Sequence, residues 1–533
     1  MHPISLRHIC LTACTLSFPL FLASCGGMHP QYSKMAHSPA FITTVETALA
    51  KTDHEVFQTF EDNPVIASRT QPISTFSIDV DTGSYTITRR DLMQGRLPRR
   101  DAVRAEEFIN YFDFEYPTPK TQDMPFAVST EISQTPWNKK THLLKIGLKG
   151  YDKSNADLPP SNLVFLLDVS GSMLDEHKLP LLKKSLALLT QKLRPIDRIS
   201  IVVYAGASGI VLEPTPGHET GKILAALEGL SAGGSTNGGA GIQLAYALAQ
   251  QAFIKGGINR IILATDGDFN VGSVNFEALK NLVQAQQQSG IALTTLGFGR
   301  GNYNDHLMEQ LADAGNGNYA YIDTLLEAKK VLLTEMSSTF FTIAKDVKVQ
   351  IEFNPKQVAE YRLIGYENRV LQAQDFRNDK VDAGDIGAGH SVTAFYEITL
   401  VGSQGTLIPT RRYAPVATST QNTANASELA FLKLRFKQPE HTQSQLKTWV
   451  IQRSHIQSPD NSSDNYRFAA AVAAFAQHLR GGQHLGHYTY EDIIRLAKTA
   501  LGADQHGLRH EFIRLVDLAQ NIEQKHKKPS TLK

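Results

Sequence analysis

In the middle third of the chain, hydrophobic residues come in short unbroken runs: "NLVFLLDVS", "RISIVVYAG", "RIILATDG" and "IALTTLGFG". Strands buried on both faces read this way, because neither side needs polar residues for solvent. Between the runs the period changes. Leu179, Leu182, Leu186, Leu189 and Leu193 follow a three–four spacing that puts them on one face of a helix over 178–193, and Pro180 suits its first turn. Strand and helix in alternation predict an α/β unit with a doubly wound parallel sheet over residues 161–340.

On either side the pattern becomes an alternation of apolar and polar positions. Residues 125–150 predict two antiparallel strands around a turn, and "DVKVQIEF", "VTAFYEITLVG" and "LAFLKLRF" predict further strands beyond 345. The parallel-sheet unit is therefore expected to be inserted in, or flanked by, a β-sandwich-like domain. "ISTFSIDVDTGSY" alternates as a strand should, and "RRDAVRAEEFINYF" has helical spacing. "NYRFAAAVAAFAQHLRGG", "TYEDIIRLAKTALG" and "HGLRHEFIRLVDLAQNIEQ" predict C-terminal helices with glycine stops and Thr489 as a cap. The expected divisions are an α+β flank at 71–160, the α/β unit at 161–340, a β domain at 341–455 and a helical region at 456–533.

Composition narrows the function. The 533 residues carry 53 bases and 52 acids, a formal charge of +1, and no basic run interleaved with aromatics, so nucleic acid is not an expected partner. All three cysteines, Cys10, Cys14 and Cys25, lie in the first 25 residues, which excludes a disulfide framework or a cysteine-bound zinc from the body. The apolar run after Arg7 is short and broken by Pro19, as in an export signal over 1–24. It ends in Leu22-Ala23-Ser24-Cys25, which resembles the bacterial lipoprotein box. That resemblance implies cleavage before Cys25, lipidation (palmitate among the acyl groups) of its thiol, a polar tether over 25–70, and residence in a bacterial cell envelope by lipid anchor. Gly26 in the second mature position favours the outer membrane if the cell is Gram-negative.

The candidate chemistry lies at strand ends. "FLLDVSGSM" ends an apolar strand in Asp168, Ser170 and Ser172 at alternate positions, which extended backbone aims to one side. "SAGGSTNGGAG" adds Thr236 on a glycine-rich loop, with Ser235 beside it, and "ILATDGDFN" adds Asp266 at another strand terminus, with Asp268 at the crevice rim. In a parallel sheet the ligand crevice lies beyond these carboxyl ends. A ligand set of oxygens only, hydroxyls included, selects a hard divalent cation: magnesium first, with manganese or calcium as alternatives.

The pattern Asp168-x-Ser170-x-Ser172, then Thr236, then Asp266 resembles the metal-ion-dependent adhesion site of von Willebrand factor A domains, with no departure. The flanks "STFSIDVDTGSY", "DAVRAEEFINYF" and "YRFAAAVAAFAQHLRG" are similar to bacterial lipoproteins that carry such a domain between dedicated N- and C-terminal regions. The resemblance implies a binding protein in which a ligand carboxylate completes the shell of the bound cation. The expected partner is a protein or peptide with an exposed Asp or Glu. The alternatives are an envelope scaffold whose metal site stabilises the fold, and a magnesium-dependent hydrolase.

Enzyme motifs are missing from the sequence. "GGSTN" is not a nucleophile elbow, "HETGK" and "HEFIR" lack the second histidine of a zinc peptidase helix, and no Gly-Lys-Ser/Thr phosphate loop occurs. A non-enzymatic protein is therefore expected. Asp266, Asp268, Asn270 and Glu277 have calcium-loop spacing, but Val271 stands where the turn requires glycine. Asp79 and Asp81 are read as turn formers before ion ligands, and His484 and His487 as solvated loop residues.

Overall fold

The protein is described by a computed structural model over residues 54–119, 124–235, 238–267, 276–287, 289–409 and 425–527. The N-terminal flank contains β1 (Ile66–Ala67), β2 (Ile73–Ser77), α1 (Gly83–Met93), α2 (Ala105–Asn110), β3 (Phe126–Thr135) and β4 (Asn138–Gly150). The strand expected over "ISTFSIDVDTGSY" thus stops at Ser77, and the chain turns helical from Gly83. The helix shows little amphipathic period because it is buried nearly all round. Its two arginines are paired: Arg89 with Asp323 at 2.5 Å and Arg90 with Glu55 at 2.8 Å.

The α/β unit follows: β5 (Ser161–Asp168), α3 (Leu179–Thr190), β6 (Arg198–Tyr204), β7 (Ser208–Pro216), α4 (Thr220–Glu228), α5 (Gly238–Gln251), β8 (Ile258–Thr265), α6 (Phe276–Gln287), β9 (Ala292–Phe298), α7 (Asp305–Ala314), β10 (Tyr319–Ile322), α8 (Leu325–Lys329) and α9 (Met336–Phe340). The sheet order is β10-β9-β8-β5-β6-β7, which puts the first strand of the unit between β8 and β6. The four continuous apolar runs are its parallel interior. β7 is antiparallel to β6, so the sheet is mixed at that edge. Its half-exposed "SGIVLEPTP" lacks the continuous apolar signal of its neighbours.

Beyond the unit lie β11 (Thr342–Phe353), β12 (Val358–Ile364), β13 (Ile386–Gly387), β14 (Ser391–Leu400), β15 (Glu428–Lys437) and β16 (Ser444–Gln452). β1-β12-β14-β4-β3 form one antiparallel sheet, and β13-β11-β15-β16 with β2 on β11 form a second. Their inner faces share a core that includes Phe126, Leu144, Val349, Phe353, Tyr396 and Leu432. Strands from before and after the α/β unit therefore complete one sandwich-like domain into which that unit is inserted.

The chain ends in α10 (Asp464–Leu479), α11 (Tyr490–Lys498) and α12 (Leu508–Lys527). Thr489 accepts a hydrogen bond from the Asp492 backbone N–H, and the Asp492 carboxylate accepts one from the Thr489 N–H in return. These helices share a core with the N-terminal flank. Phe112 meets Phe468 edge-on at 5.1 Å, and Phe468 and Phe475 meet Phe512 at 5.3 and 5.5 Å. Buried alanines along α10 leave room for α2 to pack closely. The first and last segments of the described chain thus close on one another. Among the described residues no helix is long and apolar enough to cross a membrane.

Candidate metal centre

β5 delivers Asp168 to the carboxyl edge of the sheet, where it is fully buried. Asp168 Oδ1 accepts from the Ser170 N–H at 2.9 Å, and Oδ2 accepts from Thr265 Oγ1 at 2.8 Å and from the Tyr204 hydroxyl at 3.3 Å. The carboxylate is therefore held by donors from three neighbouring strands or loops. A 3-10 turn over Gly171–Leu174 then folds the chain back, and the Ser170 and Ser172 hydroxyls come to 3.0 Å of each other. The glycine-rich loop is tied to this turn by backbone bonds, Gly171 N–H to the Gly234 carbonyl at 3.0 Å and Gly233 N–H to the Val169 carbonyl at 2.8 Å. Gly234 takes φ of +85°, a conformation open to glycine at little cost. Ser235 is exposed on this loop beside Gly206.

Asp266 follows β8 directly and is buried at the same edge. Burial pushes the Asp168 carboxyl above its usual range, and the Asp266 charge adds to the rise, while hydrogen bonds from Ser170 and Thr265 oppose it. Two buried carboxylates and paired hydroxyls at one edge of the sheet fit a hard divalent cation, whose charge would offset the burial of the acids. Sequence reasoning missed one member of this centre. Lys178, the residue before α3, donates from Nζ to Asp266 Oδ2 at 2.7 Å. Its stem lies on Gly299, where an added Cβ would come within 2.3 Å of Lys178 Cγ. No periodicity marks such a residue, because its partner is 88 positions away.

Thr236, Asp268 and Cys25 lie outside the described residues. Glu277 is exposed at the start of α6. Asp79 and Asp81 belong to a buried ion-pair network. Asp79, Glu107 and Glu309 bring carboxylate oxygens within 4.8 Å of one another, and Arg369 bonds Asp79 and Glu309 at 3.1 Å each. Arg104 reaches Asp305 at 2.6 Å and also pairs with Glu107. The Asp81 N–H donates to Asp79 Oδ1 at 2.9 Å, which is the turn chemistry expected there.

The family model for the von Willebrand factor type A domain matches residues 162–335, the inserted unit that carries this centre. Two further models match the flanks, "von Willebrand factor" over 51–145 and "Uncharacterized protein YfbK, C-terminal" over 338–522. "Uncharacterized protein YfbK" of Escherichia coli (strain K12) is 47% identical over 498 residues, 92% of this chain and 86% of that protein. The chain belongs to the YfbK family. This YfbK-family protein is also similar to "Inter-alpha-trypsin inhibitor heavy chain H4" of Homo sapiens, 29% identical over 148 residues, 26% of this chain and 16% of that protein. Among solved structures, a von Willebrand factor type A protein from Catenulispora acidiphila covers 76% of the YfbK-family chain and 91% of its own, at 14% identity and a TM-score of 0.42.

Proposed function

We propose that the protein is a cell-envelope lipoprotein that captures a protein or peptide ligand by an exposed Asp or Glu, through a magnesium ion held at Asp168, Ser170, Ser172, Thr236 and Asp266. The observation that carries this reading is the meeting of the Ser170 and Ser172 hydroxyls, 3.0 Å apart, beside the two buried aspartates. Magnesium, when bound, supplies a positively charged coordination position that an incoming carboxylate oxygen fills. Manganese and calcium are the alternative ions.

The chain's own residues prepare the site. Donors from Ser170, Thr265 and Tyr204 orient Asp168 before any ligand arrives, so little ordering remains to oppose binding. The glycine-rich loop that precedes Thr236 in the sequence is tied to the turn, Gly234 to Gly171 and Gly233 to Val169. Cys25 anchors the mature chain by lipid, with the outer membrane as its address in a Gram-negative cell, and the residues that follow serve as tether. The protein acts by binding and not by turnover.

The test is metal-dependent capture. Immobilised protein should retain an acidic envelope protein in magnesium and release it in chelator, and Asp168→Ala should abolish retention. Retention that ignores both changes would refute the proposal.

A further inference from the structure

We infer that Lys178 is a built-in counter-charge of the metal centre, which weakens the hold on the divalent cation and makes the loaded site more positive toward an anionic ligand. The inference rests on the reading of the crevice as a metal site and concerns how that site is tuned.

The geometry is specific. Lys178 and Asp266 are both buried, with side-chain exposures of 9% and 0%, and their charged atoms lie 2.7 Å apart. An ammonium this deep is stable only against a fixed carboxylate, and the pair interacts far more strongly than a surface ion pair. Lys178 has little freedom to leave. Its N–H donates to the Asp175 carbonyl at 2.9 Å, and its carbonyl accepts from the Leu182 N–H at 2.8 Å as α3 begins. The stem runs over Gly299, which has φ of +70° and admits no side chain.

A consequence for charge follows. Asp168 and Asp266 alone would neutralise a divalent cation, and the loaded site would then offer a carboxylate ligand no net attraction. With Lys178 present, the cation, Asp168, Asp266 and Lys178 together keep one more positive charge than they would without it. The ammonium also competes with the cation for Asp266, so binding of metal is weaker and exchange easier than the oxygen set alone would give. Lys178 therefore exchanges metal affinity for affinity toward acidic ligands. A lysine that only filled space beside Asp266 would have neither effect.

The experiment is calorimetric titration of the full mature chain with manganese, comparing wild type, Lys178→Met and Lys178→Arg. Methionine keeps an unbranched stem over Gly299 while removing the charge, and Lys178→Gln serves as a second neutral variant should methionine disturb folding. The neutral variants should bind manganese about tenfold tighter or more, and Lys178→Arg should stay near wild type because it keeps the charge. Binding by the neutral variants with none by wild type would support the same conclusion. Equal or weaker binding by folded neutral variants, or no binding by any form, would overturn it. Failure of the capture proposal is separable: the neutral variants would still gain manganese affinity while no form of the protein retained an acidic partner in magnesium.

Discussion

Arg90 Nη1 donates to the carbonyl of Gly299 at 3.2 Å, and Gly299 is the residue on which the Lys178 stem rests. Arg90 belongs to α1 and is also bonded to Glu55 at 2.8 Å, so the chain preceding the A domain holds the loop that follows β9. The flank and the candidate metal centre thus meet at one glycine. Gly299→Ala should destabilise the protein by about 2–4 kcal/mol, from the left-handed backbone and the clash with Lys178. Urea denaturation checks this, and an unchanged midpoint would show that the contact is slack.

Arg104 joins the flank to the A domain through Asp305, at 2.6 Å in a fully buried setting. Arg104→Met should cost about 3–5 kcal/mol, because Asp305 and Glu107 would remain buried without their cation. Lysine should not restore the loss, since one ammonium cannot reproduce the two-sided guanidinium contact. Chemical denaturation of the three proteins measures both effects.

Glu106 gives the fold a pH dependence. It is fully buried, and burial, with the neighbouring Glu367 and Asp79 charges, pushes its carboxyl up from 4.5 to about 8. The folded state therefore holds a proton that the unfolded state releases above its ordinary carboxyl range. Stability from this group is full in acid and is lost as pH rises toward 8, by up to about 1.4 kcal/mol per pH unit. The melting temperature should fall between about pH 4.5 and pH 8, and Glu106→Gln should flatten that fall. Parallel profiles for the two proteins would contradict the assignment.

Much of the architecture was legible because burial on both faces leaves a continuous apolar run, and β5, β6, β8 and β9 all show one. α1 was not legible, since its polar residues are buried in ion pairs and imitate a solvated surface. β7 and β16 have half-exposed faces and short apolar content, so neither stood out. That Asp168, Ser170, Ser172 and Asp266 lie at the carboxyl edge of one sheet was readable from strand-end placement in a parallel sheet. Lys178 was not, because a distant ion pair leaves no local periodic trace.

The proposed anchor has its own test. Cys25→Ser should move the protein from the membrane fraction to the soluble envelope fraction, or stall it uncleaved, with the globular body unchanged. Processed protein that stays with the membrane would contradict lipidation at Cys25.

The proposed function is recognition of a carboxylate through a metal ion. It is tested most directly by retention from envelope extract on immobilised protein, run in magnesium with native extract and with extract whose Asp and Glu side chains have been amidated. Retention is expected from native extract alone, lost in chelator and lost with Asp168→Ala. Equal retention from amidated extract, or retention indifferent to chelator, would contradict it.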